Sequence, residues 1–268
     1  ELKLRGGIGQ LGNQEIGNFL YQSTINRSIP YEFSTGRVLG AATTVIVDPN
    51  IKWETRITRS VGMDASFLNG KLDFTAEYYS NESRNILVNL PIPMTAGSLG
   101  GGIFTNAGSL QNSGIELSLQ YQEALGDFTV TVAPNFYTVK NKVLDLGPQK
   151  LISATGSRSV VGRPIGENYG WVYQGIFQNA SEINTVDPTN AAFDATKHAF
   201  QTAQTAPGDV KFKDLNNDGK IDDSDRTFLG NGMPTYYYGL NITTNYKGFD
   251  FTVFASGSGG SYINSNLY

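Results

Sequence analysis

Two regularities, taken together, leave this chain few folds to adopt. The first is period-two alternation. Apolar and polar residues alternate in Leu72-Asp73-Phe74-Thr75-Ala76-Glu77-Tyr78 and in Ile115-Glu116-Leu117-Ser118-Leu119-Gln120-Tyr121. The same holds for Phe128-Thr129-Val130-Thr131-Val132, Leu240-Asn241-Ile242-Thr243-Thr244-Asn245-Tyr246 and Phe249-Asp250-Phe251-Thr252-Val253. Successive side chains of a strand point to opposite faces, so each run presents one apolar and one polar face. The second regularity is in the connections. Asn69-Gly70, Lys247-Gly248 and Glu123 to Asp127 read as short hairpin turns. Between them lie long connections near 11–53, 85–111 and 141–234.

The alternating runs predict about seven long strands, at 2–10, 54–67, 71–84, 112–123, 127–140, 235–246 and 249–258. Along them, short turns and long loops take turns without exception. Every short turn therefore falls on one edge of an antiparallel sheet and every long loop on the other. Outer-membrane β-barrels have this asymmetry, with short periplasmic turns and long extracellular loops. A tilted strand crosses the hydrocarbon in about 9–11 residues, and these runs reach that length. Strands of soluble proteins are shorter, about 5–6 residues. The apolar faces would meet lipid and the polar faces would line a wet or plugged lumen. Trp53, Tyr78, Tyr79, Tyr121, Tyr137, Tyr236, Tyr237, Tyr238 and Tyr246 are expected near strand ends, at headgroup level. The plainer alternative is that tyrosine favours strands of any kind.

Composition narrows the partners. Charged residues make up 16% of the 268, below the roughly 25% of an average soluble domain. The net charge of −4 gives no basic stripe for nucleic acid. There is no cysteine, which excludes disulfides and thiolate metal sites. No apolar run approaches the roughly 18 residues of a membrane helix, which leaves a strand-built membrane protein open. The opening ELKLRGGIGQ reads as the middle of a strand rather than a signal peptide, so the chain is expected to be a piece of a longer one. Only 190–204 (NAAFDATKHAFQTAQ) offers a candidate helix, and a short one.

One stretch departs from the alternation. DLNNDGKIDDSD, from Asp214 to Asp225, has the spacing of a calcium loop of the EF-hand type. Asp214, Asn216 and Asp218 stand at positions 1, 3 and 5 and Gly219 at the turn position 6. Lys220 would give its carbonyl at 7, Asp222 acts at 9 and Asp225 closes the site at 12. Calcium takes 6–8 hard oxygen ligands, which is why so many oxygens crowd one loop. Aspartate at position 12, in place of glutamate, has a shorter arm and is expected to weaken the site. The flanks GDVKFK and RTFLG read as extended, so no helix pair exists to open, and the expected site is static and structural. The alternative is a solvated acidic turn without metal.

Several stretches together resemble the SusC/RagA-type TonB-dependent outer-membrane transporters of Bacteroidetes. They are ELKLRGGIGQLGNQEIGN (1–18), DPNIKWETRITRSVGMDASF (48–67), LNGKLDFTAEYYSNESRNIL (68–87), NAGSLQNSGIELSLQ (106–120), and GDVKFKDLNNDGKIDDSDRTFLGN with the following YYGLNITTNYKGFDFTVFASG. The calcium-type loop is itself part of the last signature. The resemblance implies an all-β fold: a segment of a transmembrane antiparallel barrel of roughly 22 strands with a plugged lumen. It also implies import of oligosaccharides or peptides, a SusD-like surface lipoprotein as partner, coupling to a TonB complex, and outer-membrane lipid around the wall. The plug, the TonB box and the terminal strands are expected outside these 268 residues, since an open seven-stranded sheet would leave bare edges in lipid.

Other constellations carry little chemistry. His198 is the only histidine and reads as a loop residue, because zinc and catalytic sites need several convergent groups. Gly97 to Gly102 (GSLGGG) lacks the lysine and helix of a phosphate loop and reads as a flexible loop. Ser153, Ser157 and Ser159 have no visible base, so no enzyme is expected. Tyr169, Trp171 and Tyr173 in NYGWVYQG form an aromatic cluster on a long loop. Substrate binding is one reading of it and loop-on-loop packing the other. Two further classes remain open: a passive porin or adhesin-like barrel, and a secreted calcium-stabilised β protein that binds carbohydrate.

Overall fold

The computed structural model describes residues 1–263 except 14, 16, 35, 44, 45, 93, 94 and 96–101. The expected flexible loop at Gly97 to Gly102 lies, apart from Gly102, outside the described residues. The described residues form sixteen strands, in chain order β1 Leu2–Asn13, β2 Ile25–Phe33, β3 Gly36–Thr43, β4 Glu54–Phe67, β5 Leu72–Pro91, β6 Gly102–Leu125, β7 Phe128–Thr138 and β8 Lys140–Asp145. Then come β9 Leu151–Ala154, β10 Ser157–Val160, β11 Glu167–Trp171, β12 Tyr173–Ile176, β13 Val210–Phe212, β14 Arg226–Gly230, β15 Tyr236–Tyr246 and β16 Phe249–Gly259. Two compact units divide the chain. One is Glu1–Ile152 with Val160–Ile165 and Thr235–Gly259; the other is Ser153–Ser159 with Gly166–Pro234 and Gly260–Tyr268.

The first unit is built on an antiparallel meander in the order β1-β4-β5-β6-β7-β15-β16. These seven strands stand where the seven alternating runs are. Their short turns have the backbone that tight hairpins demand. Lys247 (φ 43°) and Gly248 (φ 85°) both have positive φ between the paired residues Tyr246 and Phe249, the twist-compatible two-residue form. In the β4–β5 turn Phe67 pairs Leu72, and the four-residue connection between them has Leu68 (φ 55°), Asn69 (φ 56°) and Gly70 (φ 84°) at positive φ. Ion pairs stitch neighbouring turns together: Lys71 to Glu123 at 2.7 Å and Lys247 to Asp127 at 3.3 Å.

The strands run further than alternation alone suggests on the long-loop side. β5 continues to Pro91 and β6 begins at Gly102, with Ile86 opposite Gly108 and Leu90 opposite Ile103. Most of 85–111 is therefore paired hairpin rather than loop. Asn85 in the left-handed region (φ 57°) and register shifts on both sides of Ile86 break the alternation there, and a bulge of this kind hides the strand from a period-two reading. Residues 11–53 likewise contain the β2–β3 hairpin. Tyr78 and Tyr79 consequently sit inside β5 rather than near its end. The helix expected at 190–204 is absent. Asp187, Asn190 and Asp194 each accept a hydrogen bond from the backbone N–H two residues on, and these local turns outcompete a helix.

Register carries the two faces across the sheet. On one face Leu4, Met63, Ala76, Leu117, Phe136 and Tyr238 stand opposite one another, strand by strand. The next row on the other face is Lys3, Asp64, Thr75, Ser118, Asn135 and Gly239. The chain leaves the apolar face uncovered: Leu4 is 75% and Ile8 77% exposed. In the second unit β14, β11 and β10 lie side by side in that order, and β12 pairs β13. Phe177 and Ile183 are its buried apolar residues, and Asp225 is fully buried in the same unit.

Candidate functional site

The apolar face of the meander is the first functional surface. Along β15 it reads Tyr236, Tyr238, Leu240, Ile242, Thr244, Tyr246. Aliphatic residues fill the middle and tyrosines stand at both ends. Phe128 and Phe249 reinforce one end, with Phe128 and Tyr246 rings 5.1 Å apart. From Tyr236 to Tyr246 the strand spans about 33 Å at roughly 3.3 Å per residue. A tilt of about 45° brings this to about 23 Å across a bilayer, close to the apolar band of about 25 Å in outer-membrane barrels. On β4–β6 the band ends sharply. The row Val61, Tyr78, Ile115 is followed by Arg59, Ser80, Ser113 and then by Ile57, Glu82, Gln111. There Glu82 pairs with Arg84 at 2.6 Å and Arg59 at 3.4 Å, groups suited to water or headgroups rather than hydrocarbon.

The opposite face is wet by composition. Arg5 reaches Asp64 on the neighbouring β4 at 3.2 Å and, across β4, pairs with Glu77 on β5. Thr75 donates to the other oxygen of Asp64 at 3.0 Å. Sequence reasoning did not single out this cluster. Its signal was present, since Arg5, Asp64 and Glu77 all occupy the polar parity of their strands.

The calcium-type loop is in the second unit. Asp214 accepts N–H bonds from Asn217 (2.6 Å) and Gly219 (2.8 Å) through its two oxygens. Asn216 accepts from Asp218 N–H, and Asp218 from Lys220 N–H. Asn216 also donates its amide to Asp218 at 2.8 Å. Gly219 takes φ +84°, and a Cβ there would come within 2.9 Å of the Phe193 ring, so glycine is required on two counts. Asp222 caps a single turn of 3-10 helix, Asp223–Asp225, and accepts from Ser224 N–H. These Ser224 bonds hold the Asp222 carboxyl below the usual range. Asp225 is the clasp: its oxygens accept from Leu215 and Asp222 N–H, both at 2.8 Å.

The six predicted ligand residues are thus brought into one loop, wired by backbone donors. As the loop stands, no group of three or more Asp, Glu, His or Cys residues among the described residues converges on a metal position. An all-oxygen set suits calcium chemically. Each carboxylate oxygen engaged by one N–H retains a second lone pair.

Of the aromatic cluster, two members are spent on packing. The Trp171 indole N–H donates to the Asp222 carbonyl at 2.7 Å, and the Arg226 guanidinium lies 4.1 Å from its ring centre. The Tyr169 ring carries Arg158 at 3.7 Å and meets Phe228 edge-on at 5.2 Å. Tyr173 alone is open, at 63% exposure. His198 bonds Gln174 and the Ala199 carbonyl, both at 3.0 Å, and meets Phe177 edge-on. Ser159 accepts from Gly166 N–H at 2.9 Å.

Comparison with known proteins gives a consistent picture. The sequence model described as "TonB dependent receptor-like, beta-barrel" matches residues 1–266. TonB-dependent receptor P3 of Formosa agariphila is 28% identical over 278 residues, 99% of this chain and 26% of that protein. TonB-dependent receptor SusC of Bacteroides thetaiotaomicron is 25% identical over 98% of this chain and 25% of its own length. The RagAB peptide importer in its open-open state superposes with a TM-score of 0.73 at 20% identity, over 97% of this chain and 26% of that one. The chain spans about a quarter of the length of the curated relatives it matches.

Proposed function

Because the chain belongs to the TonB-dependent receptor-like β-barrel family, we propose that it forms part of the wall of an outer-membrane transporter. That transporter imports oligosaccharides or peptides, draws energy through a TonB complex, and works with a SusD-like surface lipoprotein. The observation that carries this reading is the meander: short turns on one edge, long connections on the other, and an uncovered apolar face bounded by tyrosines. The apolar face would meet lipid and the polar face, with Arg5, Asp64 and Glu77, would line the lumen. Sequence similarity to SusC, and a fold shared with RagAB, itself a peptide importer, support the substrate and partner classes. A detergent pull-down of the tagged intact protein from its native membrane tests the proposal. A SusD-like lipoprotein in stoichiometric amount is expected. Extraction from the outer membrane alone favours a passive barrel, and recovery in the soluble fraction would overturn the membrane reading.

The loop Asp214 to Asp225 takes calcium in this proposal, as a stiffener. Asp214, Asn216, Asp218, Asp222 and Asp225 would supply side-chain oxygens and Lys220 its carbonyl. Outside the cell calcium is plentiful, so weak affinity suffices. The ligand spacing and the glycine turn at position 6 support this assignment.

A further inference from the structure

The polar face of the meander changes character from one side of the sheet to the other. Around β1, β5 and β6 it is charged, with Arg5, Glu77 and Glu116 lining a hollow that extends to Asn135 and Tyr137 on β7. Around β7, β15 and β16 a second cleft has no Asp, Glu, Lys or Arg among its described lining residues. There Tyr137 and Tyr237 stand opposite each other with rings stacked at 4.5 Å and 9°. That separation matches the strand spacing of about 4.8 Å. The next residue in the same row, on β16, is Ser258. The step from ring to hydroxyl leaves the second face of Tyr237 open as a ledge. One row below, Asn135, Gly239 and Ser256 form a low floor, with only hydrogen on Gly239. One row further stands Phe254, 69% exposed, an apolar ring on a face that is otherwise polar. It is four residues along the strand from Ser258, so the two aromatic walls are about 13 Å apart. This cleft is near the last residues of β7 and β16 and the first residues of β15.

We propose that this cleft is a subsite for a neutral oligosaccharide, with Tyr237 as platform and Asn135, Ser256 and Ser258 as hydroxyl partners. The inference rests on the transporter reading above and names its substrate class. A sugar ring offers an apolar C–H face to the negative face of an aromatic ring and a rim of hydroxyls that both donate and accept. Serine hydroxyls and an asparagine amide match that rim in both directions. A charged ligand, a free peptide terminus included, would be desolvated against uncharged walls without an ionic partner. Glu116, beyond Tyr137 in the row, is the nearest carboxylate along it and faces the far side of the stack.

The test uses the intact protein in detergent on an array of immobilised neutral oligosaccharides, acidic oligosaccharides and short peptides. Binding to neutral oligosaccharide spots is expected. Tyr237→Ala should weaken it by about tenfold or more, the equivalent of one lost stacking contact, and Tyr237→Phe should largely retain it. Ser258→Leu covers the ledge without touching the stack and should weaken binding while the thermal midpoint is unchanged, which separates loss of the site from loss of the fold. Binding only to peptides or acidic glycans overturns the inference. So does binding that is indifferent to Tyr237→Ala and Ser258→Leu, and so does a failure to bind any neutral spot. Uptake that still requires TonB in those cases leaves the transporter reading standing.

Discussion

The phenol of Tyr79 on β5 donates to the carbonyl oxygen of Thr138, the last residue of β7, at 3.0 Å. The bond crosses the intervening strand β6 directly over Gly114, where a Cβ would lie 1.9 Å from that same oxygen. At this point β6 changes partner, from β7 below to β8 above. The missing side chain at Gly114 makes the crossing possible. Gly114→Ala should destabilise the sheet by about 1–3 kcal/mol, the usual cost of overpacking. Tyr79→Phe, which removes only the hydrogen bond, should cost about 1 kcal/mol. Urea unfolding of the intact protein in detergent, followed by tyrosine and tryptophan fluorescence, measures both.

Asp225 satisfies two backbone donors from a fully buried position. Asp225→Asn puts an NH2 against Leu215 or Asp222 N–H and leaves a buried donor unmet, at a cost of about 1–3 kcal/mol. Faster proteolysis between 205 and 235 is the expected result, with no change in the strands. Trp171→Ala should act on the same segment, because its indole holds the Asp222 carbonyl. Tyr173→Ala, at an exposed ring, should leave protease sensitivity as it is.

If the loop is stiffened by calcium, a chelator should raise protease sensitivity over the same residues, and added calcium should restore it. Asp218→Asn should shift the restoring concentration upward. Cleavage rates indifferent to chelator and to calcium would contradict the assignment.

Acidification should loosen the second unit. Glu182 is held below its ordinary range first by its hydrogen bond from Lys211, Asp187 by Thr189, Asp194 by Thr196 and Asp222 by Ser224. A carboxyl depressed in the folded state adds stability above its unfolded value, about 4, and that stability is lost as pH falls through the depressed folded values. Amide hydrogen exchange across 180–225 should therefore be steady from neutral pH down to about 5 and, corrected for intrinsic rates, rise below about 4.

Much of the fold was legible because alternation and turn chemistry agree. Lys247-Gly248 and Asn69-Gly70 mark hairpins, and the runs on either side keep one parity. Legibility failed where a local event interrupts the period. The left-handed Asn85 and the shifts around Ile86 hid the upper half of the β5–β6 hairpin. The Asx turns at Asp187, Asn190 and Asp194 defeated an apparent helix. In the candidate sites, spacing identified the loop residues but not their wiring: nothing local tells that Asp225 binds Leu215 N–H across the loop. For Trp171 and Tyr169 packing and binding stayed open in the sequence because their cationic partners, Arg226 and Arg158, are distant in sequence or on another strand. The Tyr137–Tyr237 stack depends on register between strands far apart in sequence, which no single run reveals.

In the proposed barrel wall one parity of the meander faces lipid and the other water. Residues 1–268 contain no cysteine, so single cysteines can be placed at Leu240, Asn241, Ile242 and Thr243 in the intact protein, cleared of any others, and spin-labelled in bilayers. Labels at 240 and 242 should be relaxed by oxygen and shielded from a water-soluble nickel complex, while those at 241 and 243 should show the reverse. Four labels equally open to the nickel complex would rule out a lipid-facing parity.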